Sequence, residues 1–319
     1  MIYFKVNINC DNNMLPECGF WHIFAEVTKT GADMKKIMIV LLLLAGFQAA
    51  TAREYRKPSF SEELVCRLGD ITPDSVKVSG ATQGFAIWGN YGFVLHDKGQ
   101  CVVIDIDKRE YVSTFKLEGN TSHCNNASFG VEYAGKDSRF PLLYISECKG
   151  SHRCYVTDIT LDGGKIVQTL YYSGEGYTGS FDWFVDRKHG IIYTYGSSAE
   201  KRKTVKKFRL PKLSDSDASG EVHLTESDVL DEFSVSGINI YQGSVIKGRY
   251  AYLGDGYPPY DRSFHVLDMK EKRIVATIDL NHLKYEPEGT DIRDGWLYIV
   301  MHVSKQGRNG YLYRFRLSR

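Results

Sequence analysis

The sequence predicts an all-β chain folded as a five-bladed β-propeller. Three observations carry this. A strand–turn–strand unit recurs five times at nearly constant internal spacing, each copy is followed by further segments of alternating polarity, and no long stretch is strongly helical.

From the N-terminus, Met34–Ala52 reads MKKIMIVLLLLAGFQAATA: two lysines, an apolar run from Ile37 to Phe47, and a small-residue Ala50-Thr51-Ala52 ending. This is the layout of a secretory signal peptide. The apolar run is short for a membrane span, which needs about 20 residues, although an uncut anchoring helix has the same beginning. Such leaders start a chain, so residues 1–33 read as a non-native extension, 34–52 as the leader and 53–319 as one propeller domain. The expected location is periplasmic or extracellular, with no stable membrane span after cleavage.

The first unit is QGFAIWGNYGFVLH from Gln83, and the second, NASFGVEYAGKDSRFPLLYISE, starts at Asn126 with a longer hairpin loop. The third is DWFVDRKHGIIYTY from Asp182, the fourth QGSVIKGRYAYLGD from Gln242, and the fifth EGTDIRDGWLYIVMH from Glu288. First to last polar residue spans 13 positions in the first, third and fourth units, 14 in the fifth and 21 in the second. Third strands follow as CVVIDID, CYVTDIT, TVKKFRL, SFHVLDM and YLYRFRL; fourth strands are EYVSTFKL, KIVQTLYY and RIVATIDL. The period-2 alternation marks half-buried strands. In the third unit SGEVHLTESDVLDEF holds a strand, a short helix or both. The fifth unit ends the chain one strand short, and SEELVCRLGDI after the leader is the natural supplier, closing the ring and covering its edges. A six-bladed ring is the alternative, with 53–80 and part of 205–240 forming another blade.

Lys+Arg number 40 against Asp+Glu 39, a net charge of +1 that makes no electrostatic case for nucleic acid or an anionic membrane. Five cysteines follow the leader: Cys66, Cys101, Cys124, Cys148 and Cys154. An odd number leaves at least one thiol in an oxidising compartment. Cys148 and Cys154 flank KGSHR and are placed to close that hairpin loop.

In a propeller the start of each inner strand and the end of each second strand meet at one mouth of the channel. The inner set is Gln83, Asn126, Asp182, Gln242 and Glu288; the outer set is His96, Glu147, Tyr195, Asp255 and His302; His123 precedes the inner residue of its unit. Glycines after the inner residues (Gly84, Gly243, Gly289) suit close backbone approach. These polar positions are candidates to line a funnel for a small polar ligand or glycan. The competing reading is that they satisfy backbone groups of neighbouring blades or hold channel water. Converging carboxylates also suit acid–base chemistry, as in a hydrolase or cyclase, or a channel cation such as calcium. A protein-interaction scaffold using the outer blade faces is a third class. Blade two is the one that adds a His-Cys pair, with Glu147, Cys148 and Cys154 expected nearby.

GEGYTG at 174–179 matches a dinucleotide fingerprint but precedes a strand, not the helix that motif needs. Aromatics make up 13 % of the chain, with 21 Tyr, and most recur in second strands. Trp88, Trp183, Trp296 and the Tyr257-Pro-Pro-Tyr260 loop are the candidates for stacking on a sugar.

The repeated Gln-Gly step followed by Gly-x-Tyr-x-Tyr resembles secreted bacterial propellers of the helveticin-like and teichoic-acid-associated kind, over residues 80–319. It is also similar, more faintly, to five-bladed glutaminyl cyclases, whose blades open with Gln-Gly or Glu-Gly. The resemblance implies the blade architecture and export; it carries over no catalytic residue.

Overall fold

A computed structural model describes residues 62–120, 123–150, 152–303 and 310–317. The expected extension and leader lie outside the described residues. The first strand, β1 (Glu62–Arg67), runs into a single helical turn, α1 (Leu68–Ile71). Blade one is β2 (Thr82–Trp88), β3 (Tyr91–His96), β4 (Gln100–Asp105) and β5 (Glu110–Lys116). Blade two begins with β6 (Cys124–Phe129), β7 (Leu143–Glu147), β8 (Cys154–Ile159) and β9 (Gly164–Tyr172). Blade three holds β10 (Phe181–Asp186), β11 (Ile191–Ser197) and β12 (Lys203–Arg209), followed by β13 (Glu221–Leu224) and β14 (Asp231–Val235). Blade four is β15 (Tyr241–Lys247), β16 (Tyr250–Asp255), β17 (Ser263–Asp268) and β18 (Arg273–Asp279); blade five is β19 (Glu286–Arg293), β20 (Trp296–His302) and β21 (Tyr311–Arg316).

The fifth blade is completed by β1, which pairs antiparallel with β21 from Glu62 opposite Phe315 to Arg67 opposite Tyr311. Glu63 takes Arg314 at 2.6 Å, and Leu68 N–H donates to the Gly310 carbonyl at 3.0 Å. The ring is therefore five-bladed, and both segments that a sixth blade would have needed are used to finish blades five and three.

The ambiguous stretch in blade three contains two strands. β14 pairs with β12 and closes its own blade, whereas β13 crosses over and pairs parallel with β9, giving blade two a fifth strand. Between them lies a 3₁₀ turn, Glu226–Asp228, with a capping box on Thr225.

The apolar core sits between blades. Phe93 of blade one meets Phe129 and Phe140 of blade two edge-on, at centroid separations of 5.4 and 5.3 Å. Val65, Phe85, Val102 and Val300 belong to the seam between blades five and one. Trp183 and Phe208 face Tyr144 and Val156 across the next seam but one.

The Gln-Gly and Glu-Gly steps have a steric cause. A Cβ on Gly289 would stand 2.0 Å from Phe85 N, one on Gly243 2.6 Å from Glu288 O, and one on Gly84 2.5 Å from Cys124 O. Inner strands of neighbouring blades touch backbone to backbone there, and only glycine permits it.

Candidate functional site

Strand register decides which side chains reach the mouth. Thr82 pairs with His96, Tyr241 with Asp255 and Cys124 with Glu147; pairing resumes at Phe85, at Ser244 and, in blade two, at Asn126, which pairs with Ser146. In each case two residues stand opposite one: Gln83-Gly84, Gln242-Gly243 and Asn125-Asn126. The equivalent of Gln83 and Gln242 in blade two is thus Asn125, and Asn126 occupies the glycine position. The expected inner position of Asn126 is corrected by one residue. Its Nδ2 donates to the carbonyls of Trp183 (2.9 Å) and Ser244 (3.0 Å), and its Oδ1 accepts the Ser244 N–H at 3.2 Å. Asn126 is a buried tie between β6, β10 and β15.

A cavity of about 380 Å³ opens at this mouth, and all five blades contribute to its wall. Of the eleven sequence candidates, Gln83, His123, Gln242 and Glu288 line it. Asn125, Lys149, Lys203, Tyr241 and Glu286 join them. Tyr257 also lines it, so the Tyr-Pro-Pro-Tyr loop does reach the mouth. The three tryptophans do not. Trp183 is buried with its Nε1–H on the His152 carbonyl, Trp88 packs against Phe129, and Trp296 lies under Arg314 and Arg316.

The other candidates sit behind the wall or beside it. Asp182 is fully buried; Ser146 Oγ donates to its Oδ1 at 2.5 Å and the Asn125 amide to its Oδ2. Loss of water pushes its carboxyl up to about 7, which those two donors only partly oppose. Glu147 holds Arg153 at 2.8 Å and the Tyr155 hydroxyl at 3.2 Å. Asp255 accepts the Ile240 N–H at 2.7 Å and lies 3.0 Å from His265 Nε2. His96 is fully buried, and burial lowers its imidazole to about 4, so it is neutral near pH 7. Tyr195 is buried against the Tyr241 ring at 5.4 Å. His302 pairs with Glu286, one residue beyond the structural equivalent of His96, which is Met301. The 14-residue spacing of the fifth unit was the trace of that offset.

Two features give the wall its chemistry. His123 is held between blades, with Nδ1 2.5 Å from Asp97 Oδ1 and Nε2 2.6 Å from Lys149 Nζ. This is the arrangement in which a carboxylate orients an imidazole. On the blade-five side, Glu288 is 1 % exposed and its Oε2 has no hydrogen-bond partner among the described residues. Burial, with Glu286, Asp97 and Asp182 adding negative charge, raises its carboxyl well above the ordinary range. Burial and the neighbouring negative charge thus favour its protonated form, in which it can donate a hydrogen bond. Burial also raises Glu286, whose carboxylate accepts from Gln242 Nε2 at 2.8 Å.

Of the blade-two residues expected to gather beside the His-Cys pair, His123 and Cys148 line the mouth, together with Asn125 and Lys149, whereas Cys124, Glu147 and Cys154 are buried and do not line it. The Cys148–Cys154 bridge does not form: all five described cysteines are buried thiols. Burial pushes Cys66 up to about 12 and Cys124 up to about 11, so these thiols are unreactive. The described residues with metal-like grouping are Asp217, Glu221 and His223, on β13 and the turn before it, not at the mouth. A second cavity of about 200 Å³ at the opposite end is lined by Ser128, Arg187, Lys247 and Asp291 among others; along β6, Asn126 lies between it and the mouth.

Sequence reasoning missed Lys149 and Lys203 because they come from loop and third-strand positions outside the repeated unit. Glu286 had a signal, an acid two residues before Glu288 on the same strand.

No protein-family model and no curated protein matches this chain, so the resemblance to helveticin-like proteins gains no support. Among solved structures, Myxococcus xanthus glutaminyl cyclase is similar at 13 % identity, over 74 % of this chain and 89 % of its own, with a TM-score of 0.47. Kuenenia stuttgartiensis hydrazine synthase is similar at 13 % identity over 68 % of this chain, with a TM-score of 0.38, and the match spans 60 % of that protein's chain. A computationally designed protein, Ika8, is similar at 12 % identity over 74 % of this chain and 71 % of its own, with a TM-score of 0.32. The five-bladed ring rests on the sheets described above.

Proposed function

We propose that this chain is an exported binding propeller whose mouth takes a small polar ligand, such as a glycan fragment or another cell-envelope component. The observation that supports it is the convergence of polar side chains from all five blades on one cavity, with Glu288 buried in its wall and one oxygen unpaired among the described residues. Concave mouths with a few converging polar groups are where ligands bind, and an unpaired buried oxygen costs about 1–3 kcal/mol until something meets it. The leader-like segment 34–52 supports export.

The test is a thermal-shift screen of the chain from Arg53 onward against glycans and envelope fragments. Hits are then repeated on Gln83→Ala and Gln242→Ala, with circular dichroism as the check on folding. Loss of the hit in folded variants is expected; hits that survive both changes would remove the site assignment.

A second reading, a hydrolase or cyclase at the same mouth, is favoured by one pairing. His123, oriented by Asp97, and Glu288, whose protonated form is favoured by burial, stand in the wall of one cavity. An oriented imidazole and a carboxylic acid at one site are residue types suited to the base and the acid of such chemistry. Turnover of a screened ligand that disappears in His123→Ala while binding persists would establish it.

A further inference from the structure

The mouth presents lysines and glutamates that form no ion pair with one another. Lys203 rises from β12 in blade three and is 7 % exposed. Its ammonium is hydrogen-bonded to Ser197 Oγ at 2.8 Å and lies 5.3 Å from the centroid of the Tyr241 ring. Among the described residues no carboxylate stands within ion-pair distance of it. Lys149, from blade two, touches His123 and likewise has no carboxylate partner among them. Across the ring, blade five presents Glu286 and Glu288, neither of which is ion-paired to either lysine. Buried charges without counter-charges are rare because each costs several kcal/mol. Here lysines and glutamates line the same cavity of about 380 Å³ without an ion pair between them: Lys203 and Glu288 are buried, and Lys149, which is exposed, acts on Glu286 and Glu288 only through its charge.

We infer that the mouth is built for a small zwitterion, an α-amino acid in its simplest form. Its carboxylate is taken by Lys203 and Lys149, and its ammonium by Glu286 and Glu288. This rests on the proposal that the mouth is the binding site and names the class of ligand. A neutral glycan would leave Lys203 unpaired in its buried position. A simple anion would leave Glu288 so, and a simple cation would add a third positive group beside Lys149 and Lys203. A ligand that carries both charges meets the lysines and the glutamates at once. The amides of Gln83, Asn125 and Gln242 line the same cavity and can both donate and accept, which suits the polar atoms of such a ligand. The direction of the titration shifts agrees: burial lowers Lys203 and raises Glu288, so each is held short of its full charge until a partner of opposite sign arrives.

The inference makes a distinctive prediction. An ammonium placed against Glu288 favours its ionised form and a carboxylate beside Lys203 favours its protonated form, so on binding Glu288 gives up protons and Lys203 takes them up. The experiment is isothermal titration of the full chain near pH 7 with the free proteinogenic amino acids, in two buffers of different ionisation enthalpy. Any hit is compared with its N-acetyl form, which lacks the ammonium, and its amide, which lacks the carboxylate. The expected result is binding of at least one free amino acid, and at least about tenfold weaker binding of both blocked forms, tenfold being about 1.4 kcal/mol. Glu288→Gln should weaken binding and shift the net proton exchange toward uptake, with circular dichroism as the check that the variant is folded. Lys203→Met should weaken the free acid and leave the amide unchanged. Equal binding of free and blocked forms would overturn the inference. So would silence of every amino acid at millimolar concentration while a glycan binds and is lost in Gln242→Ala; that pattern would leave the mouth as the site and reject the zwitterion. Silence of every ligand class at this mouth would reject both.

Discussion

The buried polar residues near the axis separate into ties and unmet groups, and they should behave differently when changed. Asn126 is a tie. Asn126→Ala strands the carbonyls of Trp183 and Ser244 and the Ser244 N–H, and should cost about 1–3 kcal/mol for each buried group left unsatisfied, read by urea unfolding. Asp182 shows itself through pH. Its carboxyl is raised from 3.8 to about 7, so between those values the folded chain keeps a proton that the unfolded chain has lost. Stability from this group is full below 3.8 and falls as pH rises through about 7. His96, lowered from 6.5 to about 4, acts in the opposite sense, and its contribution rises with pH over that window. Asp182→Asn should therefore remove the downward slope and shift the stability maximum toward higher pH, measured as unfolding midpoints from pH 4 upward.

At the level of elements, the inner strands are limited by approach and the outer strands by closure. Gly289→Ala would force β19 away from β2, since the new Cβ would meet Phe85 N at 2.0 Å. Overpacking of this kind typically costs about 1–3 kcal/mol, and more where the clash is with backbone. A methyl on Gly248 would meet nothing within 4 Å, although φ there is +62°, so Gly248→Ala should be the milder change. Parallel urea curves on the two variants test the order. β1 closes blade five, and a chain that begins after Arg67 leaves β21 as an open edge. Such a chain should lose cooperative unfolding and self-associate, which light scattering reports.

For the whole molecule, the seams between blades bury the reactive atoms as well as the core. Cys66, Cys101, Cys124 and Cys154 lie within them and Cys148 is buried at the mouth, all with thiols shifted toward the protonated form by burial. A chain starting at Arg53 should be silent to a thiol reagent when native and should release five equivalents on unfolding in denaturant. Rapid labelling of Cys148 in the native state would contradict its burial at the mouth. The two ends of the channel also differ chemically. One is walled by amides, acids and lysines, and the other carries Arg187, Lys247 and Asp291, with Asn126 between them along β6.

The blade count, the strand order within blades, the closing role of SEELVCRLGDI and the crowding at the glycines were legible in the chain. Alternation with period 2 and a recurring spacing are local properties, and a propeller repeats local geometry. What only the tertiary structure decided was which polar residue faces the cavity. A one-residue bulge moves a side chain to the other face of its strand, which put Asn125 at the mouth and turned Asn126 into a tie. The lysines of the mouth come from loop and third-strand positions that no repeat marks. Asp182, Glu147 and Asp255 carry the same residue types as a binding site, yet each is met by a neighbouring donor. Pairing across blades is a long-range fact, set by packing between segments far apart in the chain, and it decides which charges are left for a ligand.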